Sequence, residues 1–173
     1  MRESFDKALK FALKWESGKS DHPSDRGGKT CKGITQRVYD DWRVSNRCGK
    51  ADVFGITDAE CTGIYRDRYW RAASCDRLPV PVDLVVFDAA VNSGPEQSIK
   101  FLQRAVSAPA DGRMGPVTLA RLDESTMSVR EVADACIDQR FAFYRRLVEL
   151  DHTQAVFFKG WLRRLQDLRK EIA

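Results

Sequence analysis

The stretch Trp15–Thr35, "WESGKSDHPSDRGGKTCKGIT", sets the reading of the whole chain. It is polar and turn-rich, with Pro23, Gly27, Gly28 and Gly33, yet apolar-patterned segments flank it on both sides. Upstream, Phe5, Leu9, Ala12 and Leu13 recur at helical spacing, which predicts a first helix capped at Ser4 and ended by Gly18. Glu16 follows Ala12 by four residues, Leu9 by seven and Phe5 by eleven. At about 100° per residue these positions share one face. A carboxylate therefore ends the stripe where the pattern asks for a core side chain.

Two readings of Glu16 fit that position. As the last residue of a fraying helix it reaches water or an ion-pair partner, as most helix glutamates do. Alternatively the helix end opens into a cleft. A partly desolvated carboxyl there favours its neutral form, which is what a general acid near neutral pH requires. The residues that follow are compatible with the second reading. Asp25 lies nine positions on and Thr30 five beyond it, with Gly27, Gly28 and Gly33 between and after them. Such glycines let a backbone turn tightly beside a ligand, so the loop carries Asp25 and Thr30 back opposite Glu16. Inverting glycoside hydrolysis needs an acid on one side of the bond and a group placing water on the other. Glu16 would serve as the acid, with Asp25 and Thr30 placing the water. Taken singly, Asp25 reads equally well as a turn residue and Thr30 as a hairpin polar residue.

Outward from this stretch the chain is mostly helical. Thr35 opens a short helix through Val38, Tyr39 and Trp42, and residues 44–56 read as loop. Thr57 and Glu60 form a capping box ahead of Cys61, Ile64, Tyr65, Tyr69 and Trp70. The run "PVPVDLVVFDAAVNSGP" (79–95) is the most apolar; its length and alanine content favour a buried helix over a buried strand, stopped by Gly94-Pro95. Ile99, Leu102 and Val106 mark the next helix, and "ADGRMGPVTLARL" reads as a turn and a helix with Pro116 in its first turn. Ser128 and Glu131 form a second capping box before a long helix with Val132, Cys136, Phe143 and Leu147. The last helix runs through Phe158, Trp161, Leu162, Leu165, Leu168 and Ile172. The expected fold is mainly α, with a small irregular or β-hairpin lobe near residues 19–56.

Composition narrows the chemistry. The 173 residues suit one compact unit, and the formal charge of 29 − 25 = +4 favours an anionic partner, cell-wall polymer or nucleic acid, without choosing between them. The basic clusters "RYWR" (68–71) and "RRLQDLRK" (163–170) recur at helical spacing beside acids and read as a solvated face rather than a nucleic-acid surface. No apolar run approaches about 18 residues, so no membrane insertion is expected. The N-terminus is too broken by charge for a signal-peptide core, which points to a chain held first in the cytoplasm. Five cysteines without a CxxC read as reduced thiols, with a Cys48–Cys61 or Cys48–Cys75 bridge as the oxidised alternative. Only two histidines occur, His22 and His152, and no zinc-type spacing, so no metal and no cofactor are expected. Pairing Cys31 with either histidine gives a hydrolase whose thiol nothing local activates, and there is no G-x-S-x-G or phosphate-binding glycine loop.

The opening stretch resembles the E-G-G-Y-x-x-D-P-x-D-x-G-G-x-T-x-x-G-I-T signature of the glycosyl hydrolase 108 family, phage and prophage muramidases usually met as endolysins. The matching residues are Glu16, Gly18, Pro23, Asp25, Gly27, Gly28, Thr30, Gly33, Ile34 and Thr35. "IYRDRYW" (64–70) resembles the family's Y-x-x-x-Y-W segment and "FDAAVNSGP" (87–95) its D-x-x-V-N-x-G segment, while "FLQRAV" with "ADGRMGPVTLARL" is similar to its helical peptidoglycan-binding half. The resemblance implies a lysozyme-like fold, a catalytic portion over 1–92 packed with a peptidoglycan-binding-like portion over 93–173, and Glu16 as catalytic acid. It implies cleavage of the β-1,4 bond between N-acetylmuramic acid and N-acetylglucosamine in peptidoglycan strands. A lytic transglycosylase, or a non-catalytic wall-binding or secretion-helper protein, is the alternative. The chain is expected to act as a monomer, waiting in the host bacterial cytoplasm until a membrane lesion admits it to the periplasmic wall. Tyr69, Trp70 and Asn92 are candidate sugar contacts; the aromatic pair reads also as core and Asn92 also as a helix-end residue. Ser17, Lys19, His22 and Arg26 depart from the family pattern, Lys19 by replacing an aromatic.

Overall fold

The computed structural model describes residues 2–16, 18–20 and 28–173. The helices are α1 (Arg2–Trp15), α2 (Gln36–Ser45), α3 (Asp58–Tyr65), α4 (Val82–Ser93), α5 (Pro95–Ala105), α6 (Pro116–Asp123), α7 (Val129–Leu150) and α8 (Ala155–Glu171). Three two-residue strands, β1 (Lys19–Ser20), β2 (Thr30–Cys31) and β3 (Ile34–Thr35), form an antiparallel sheet in the order β1-β2-β3. The fold is mainly α with a small sheet, as the sequence predicts.

α4 is the centre. Its residues from Val82 to Ala90 are all buried, charged ones included, which explains why its sequence shows no amphipathic stripe. α1, α5 and α7 pack around it. Phe5 of α1, Trp70 and Phe87 of α4 meet edge to face, with ring centroids 5.3 to 5.8 Å apart, the arrangement aromatic quadrupoles favour. One continuous hydrophobic core includes residues of α1, α4, α5, α7 and α8, so the N- and C-terminal portions share their buried surface.

Both predicted capping boxes are formed: Thr57 with Glu60 opens α3, and Ser128 with Glu131 opens α7. Thr35 caps α2 by accepting from the Val38 N–H. Two expectations need correction. α1 begins at Arg2, so Ser4 lies inside the helix, and its hydroxyl donates to the buried Asp83 carboxylate instead of capping. The helix expected to run on through Tyr69 and Trp70 widens at Arg66–Arg71 into a π-helical turn. All five cysteines are free. Burial pushes the Cys61 thiol up to about 11 and the Cys136 thiol up to about 12, which makes both inert. Among the described residues no helix is long and apolar enough to cross a membrane.

Candidate active site

Glu16 sits where α1 ends. Phe5, Leu9 and Ala12, the residues sharing its face, are buried. The Glu16 side chain keeps 23% of its surface exposed, so the apolar stripe runs out into a site open to solvent.

The tip of the β2–β3 hairpin covers it. Cys31 pairs with Ile34, leaving Lys32 and Gly33 as a two-residue turn with φ of +50° and +72°. Both central residues in the left-handed region define the turn type that matches strand twist. A Cβ built on Gly33 would stand 2.8 Å from Glu16 Oε2 and 2.8 Å from Tyr65 Oη. Only glycine therefore allows this turn to lie against the carboxylate. The turn is pinned from α3, where Tyr65 Oη donates to the Lys32 carbonyl at 2.8 Å.

The opposite side of Glu16 is held by the far end of the chain. Arg164 of α8 donates from Nη1 to Glu16 Oε1 at 2.7 Å. Its guanidinium is fixed in turn by Asp88 of α4, which accepts from Nε at 3.0 Å and from Nη2 at 2.8 Å on Oδ1. Arg140 of α7 donates to Asp88 Oδ2 at 2.6 Å and, through Nε, to Tyr144 Oη at 2.6 Å. Tyr144 Oη donates to Asn92 Oδ1. A hydrogen-bonded chain of two carboxyl groups and two guanidiniums thus runs from Glu16 to Asn92. Burial alone would push the Asp88 carboxyl up; Arg140 and Arg164 outweigh it and hold it below the ordinary carboxylate value. Burial opposes the charge on Arg164, but Asp88 and Glu16 more than restore it.

Tyr65 and Tyr69 complete the surroundings. Their rings lie 5.4 Å apart, and burial first, then the negative charge of Glu16, raises both phenols above their usual value. They act as neutral polar groups beside the carboxylate.

The structure places the other sequence candidates as follows. Thr30 is half-buried on β2, with its hydroxyl donating to the Gly28 carbonyl at 3.3 Å. It is one rung back from the turn that meets Glu16. No hydrogen bond joins Thr30 to Glu16 among the described residues. Asp25 lies outside the described residues, as do Ser17, His22 and Arg26. Tyr69 is half-buried beside Glu16, but Trp70 is corrected to a core residue. It is 2% exposed, packed on Phe5 and Phe87, with its indole N–H donating to Asp76. At that burial Trp70 has no ring face left for a sugar. Asn92 is exposed at the end of α4, and among the described residues nothing accepts from its Nδ2. Lys19 stands over the Phe54 ring at 5.4 Å.

Arg164, Asp88 and Arg140 were not among the sequence candidates, although the signal was present. Asp88 interrupts an apolar run, Arg140 follows Val132 and Cys136 at intervals of four, and Arg164 stands beside Leu165 and Leu168 on the apolar face of its helix. The cluster "RRLQDLRK" is accordingly not all solvated face: Arg163 and Lys170 are exposed, but Arg164 is only 5% exposed. No group of His, Cys, Asp and Glu side chains among the described residues is arranged to hold a metal ion.

Comparisons with known proteins identify the family. The profile of glycosyl hydrolase 108 matches residues 9–94, and that of a "Predicted Peptidoglycan domain" matches 97–166. The chain is also similar to SagA of Brucella abortus, a solved structure, at 31% identity and a TM-score of 0.81, covering 99% of this chain and 95% of that one. The chain belongs to the glycosyl hydrolase 108 family. The comparison with curated proteins gives no match. The two adjoining profiles make this family member a glycoside hydrolase of peptidoglycan. The first contains Glu16, Gly33, Tyr65 and Asp88, and the second contains Arg140, Tyr144 and Arg164. The hydrogen-bonded chain behind Glu16 therefore crosses the boundary between them.

Proposed function

We propose that the enzyme is an N-acetylmuramidase that cleaves the β-1,4 bond between N-acetylmuramic acid and N-acetylglucosamine, with Glu16 as general acid. The observation carrying this reading is the hydrogen bonding of the two Glu16 carboxyl oxygens. Oε1 is taken by Arg164, which donates only and cannot accept a proton. Oε2 has no donor among the described residues and lies beside the hairpin tip. The proton to be delivered therefore belongs on Oε2. Once that proton passes to the glycosidic oxygen, Arg164 is already in place to stabilise the carboxylate left behind, with no reorganisation at the moment of reaction.

Thr30, on the hairpin facing this oxygen, is proposed with Asp25 to place the attacking water, and Tyr69 and Asn92 to contact the sugars. Lysis of a host from its cytoplasm, after a membrane lesion opens the way to the wall, belongs to the same reading. The second reading, a lytic transglycosylase, would use Glu16 as both acid and base, with no positioned water.

Purified sacculi separate these possibilities. Glu16→Gln is expected to lose at least 100-fold of the release of soluble glycan, the scale of a lost general acid, with an unchanged circular dichroism spectrum. Equal release by both proteins would sink the acid assignment. Reducing muramic ends in the products support hydrolysis, whereas anhydro ends would replace it by the transglycosylase reading.

A further inference from the structure

The helix that supplies Arg164 also carries large apolar side chains that the core covers only in part or not at all. Phe157 is 55% exposed and Val156 76% exposed. Trp161 is half-buried. Its indole stacks on Tyr144 at 4.6 Å with 21° between the planes, and its centroid is 6.0 Å from that of Phe157. Phe157, Trp161 and Arg164 are separated by four and three residues, so they share one face of α8. Along the axis Trp161 and Phe157 lie about 4.5 and 10.5 Å from Arg164, the order of one and of two pyranose rings. The row also has a polar neighbour: Tyr144, on which Trp161 rests, donates to Asn92, whose Nδ2 faces no acceptor among the described residues.

We infer that Phe157 and Trp161 form a carbohydrate-stacking subsite, continuous with the site at Glu16, that takes N-acetylhexosamine residues of the glycan strand one and two sugars away from the cleaved bond. This rests on the reading of Glu16 as the acid of a peptidoglycan glycosidase. An aromatic face offers a pyranose an apolar surface without fixing its substituents, which suits a strand of alternating sugars. Asn92 supplies the directional contact, donating from Nδ2 to an N-acetyl carbonyl. A row built only for packing has no need to leave Phe157 more than half exposed two turns from Arg164. The C-terminal portion thereby contributes to binding through the same helix that holds the acid.

The test uses the full-length Glu16→Gln protein, so that binding is measured without turnover. Co-sedimentation with purified sacculi is expected to weaken about three- to tenfold on adding Phe157→Ala, and to return on adding Phe157→Trp, which restores a flat aromatic face. Soluble β-1,4-linked N-acetylglucosamine oligomers are expected to change the tryptophan fluorescence, and Trp161→Phe to reduce the size of that change, the remainder coming from the other three tryptophans, Trp15 beside Glu16 among them. Unaltered co-sedimentation in Phe157→Ala, or a fluorescence change undiminished in Trp161→Phe, overturns the subsite. A concentration-dependent mass in analytical ultracentrifugation that Phe157→Ala abolishes would overturn it in favour of self-association. If these binding effects appear but Glu16→Gln still releases glycan, the acid assignment fails and the subsite stands.

Discussion

Glu16 is defined by what touches each of its oxygens. Arg164 occupies one and a glycine turn lies against the other. Replacing Gly33 by alanine puts a methyl group 2.8 Å from Oε2 in a backbone conformation that L residues avoid. The turn must lift or the carboxyl must move. Gly33→Ala is expected to cost about 1 kcal/mol or more in stability and to reduce activity more than tenfold; activity within twofold of wild type would mean that the hairpin does not position the acid. Arg164 can be probed through the rate. Its contact with Glu16 Oε1 at 2.7 Å holds the carboxyl in place and stabilises the charge left after proton transfer. Arg164→Gln is therefore expected to lower the maximal rate at least tenfold with little change in KM, and Arg164→Lys to restore part of it. A maximal rate within twofold of wild type in Arg164→Gln would reduce Arg164 to a structural role. From sequence alone Glu16 is visible as an acid on an apolar face. Its partner is not, because the contact spans 148 residues and no local period encodes it.

Elements are legible where local chemistry determines them. Thr57 and Ser128 each stand three residues before a glutamate, and that spacing is the whole of a capping box. Removing a cap has a defined effect. Thr57→Ala is expected to cost about 1 kcal/mol, or roughly 2–4 °C in the melting temperature of a chain this long. Glu60 raises the stake here: it also accepts from Tyr39 Oη at 2.9 Å and pairs with Arg43, so a frayed α3 start loosens α2 as well. A melting curve within 1 °C of wild type would show that the α2 contacts hold α3 without its cap. Other elements escape a local reading for equally physical reasons. The π turn at 66–71 has no composition of its own, since "RDRYWR" continues the helical pattern before it. α4 can be recognised as buried and Asp88 as a charge within it, but not what makes that charge tolerable, because the arginines come from two later helices.

At the scale of the molecule those arginines join the chain's two halves. Asp88 is fully buried, and both of its cationic partners lie beyond residue 97, inside the second family match. A buried pair of this kind is poor grounds for claiming net stability, but removing one partner is costly, because it strands the rest. Asp88→Asn leaves two buried guanidiniums facing a neutral amide, with only Glu16 to balance them. The expected loss is about 3–5 kcal/mol, on the order of 10 °C in melting temperature. Acid should close that gap. The folded carboxyl titrates below its ordinary value, so the stability it contributes is fully present above about pH 4 and is lost as pH falls through the lower folded value. The amide of the variant cannot titrate. Melting curves of the two proteins should therefore lie far apart at pH 6 and converge as pH falls below about 4. A gap that stays constant with pH would show that the difference arises from packing alone and that the buried charge does not tie the halves together.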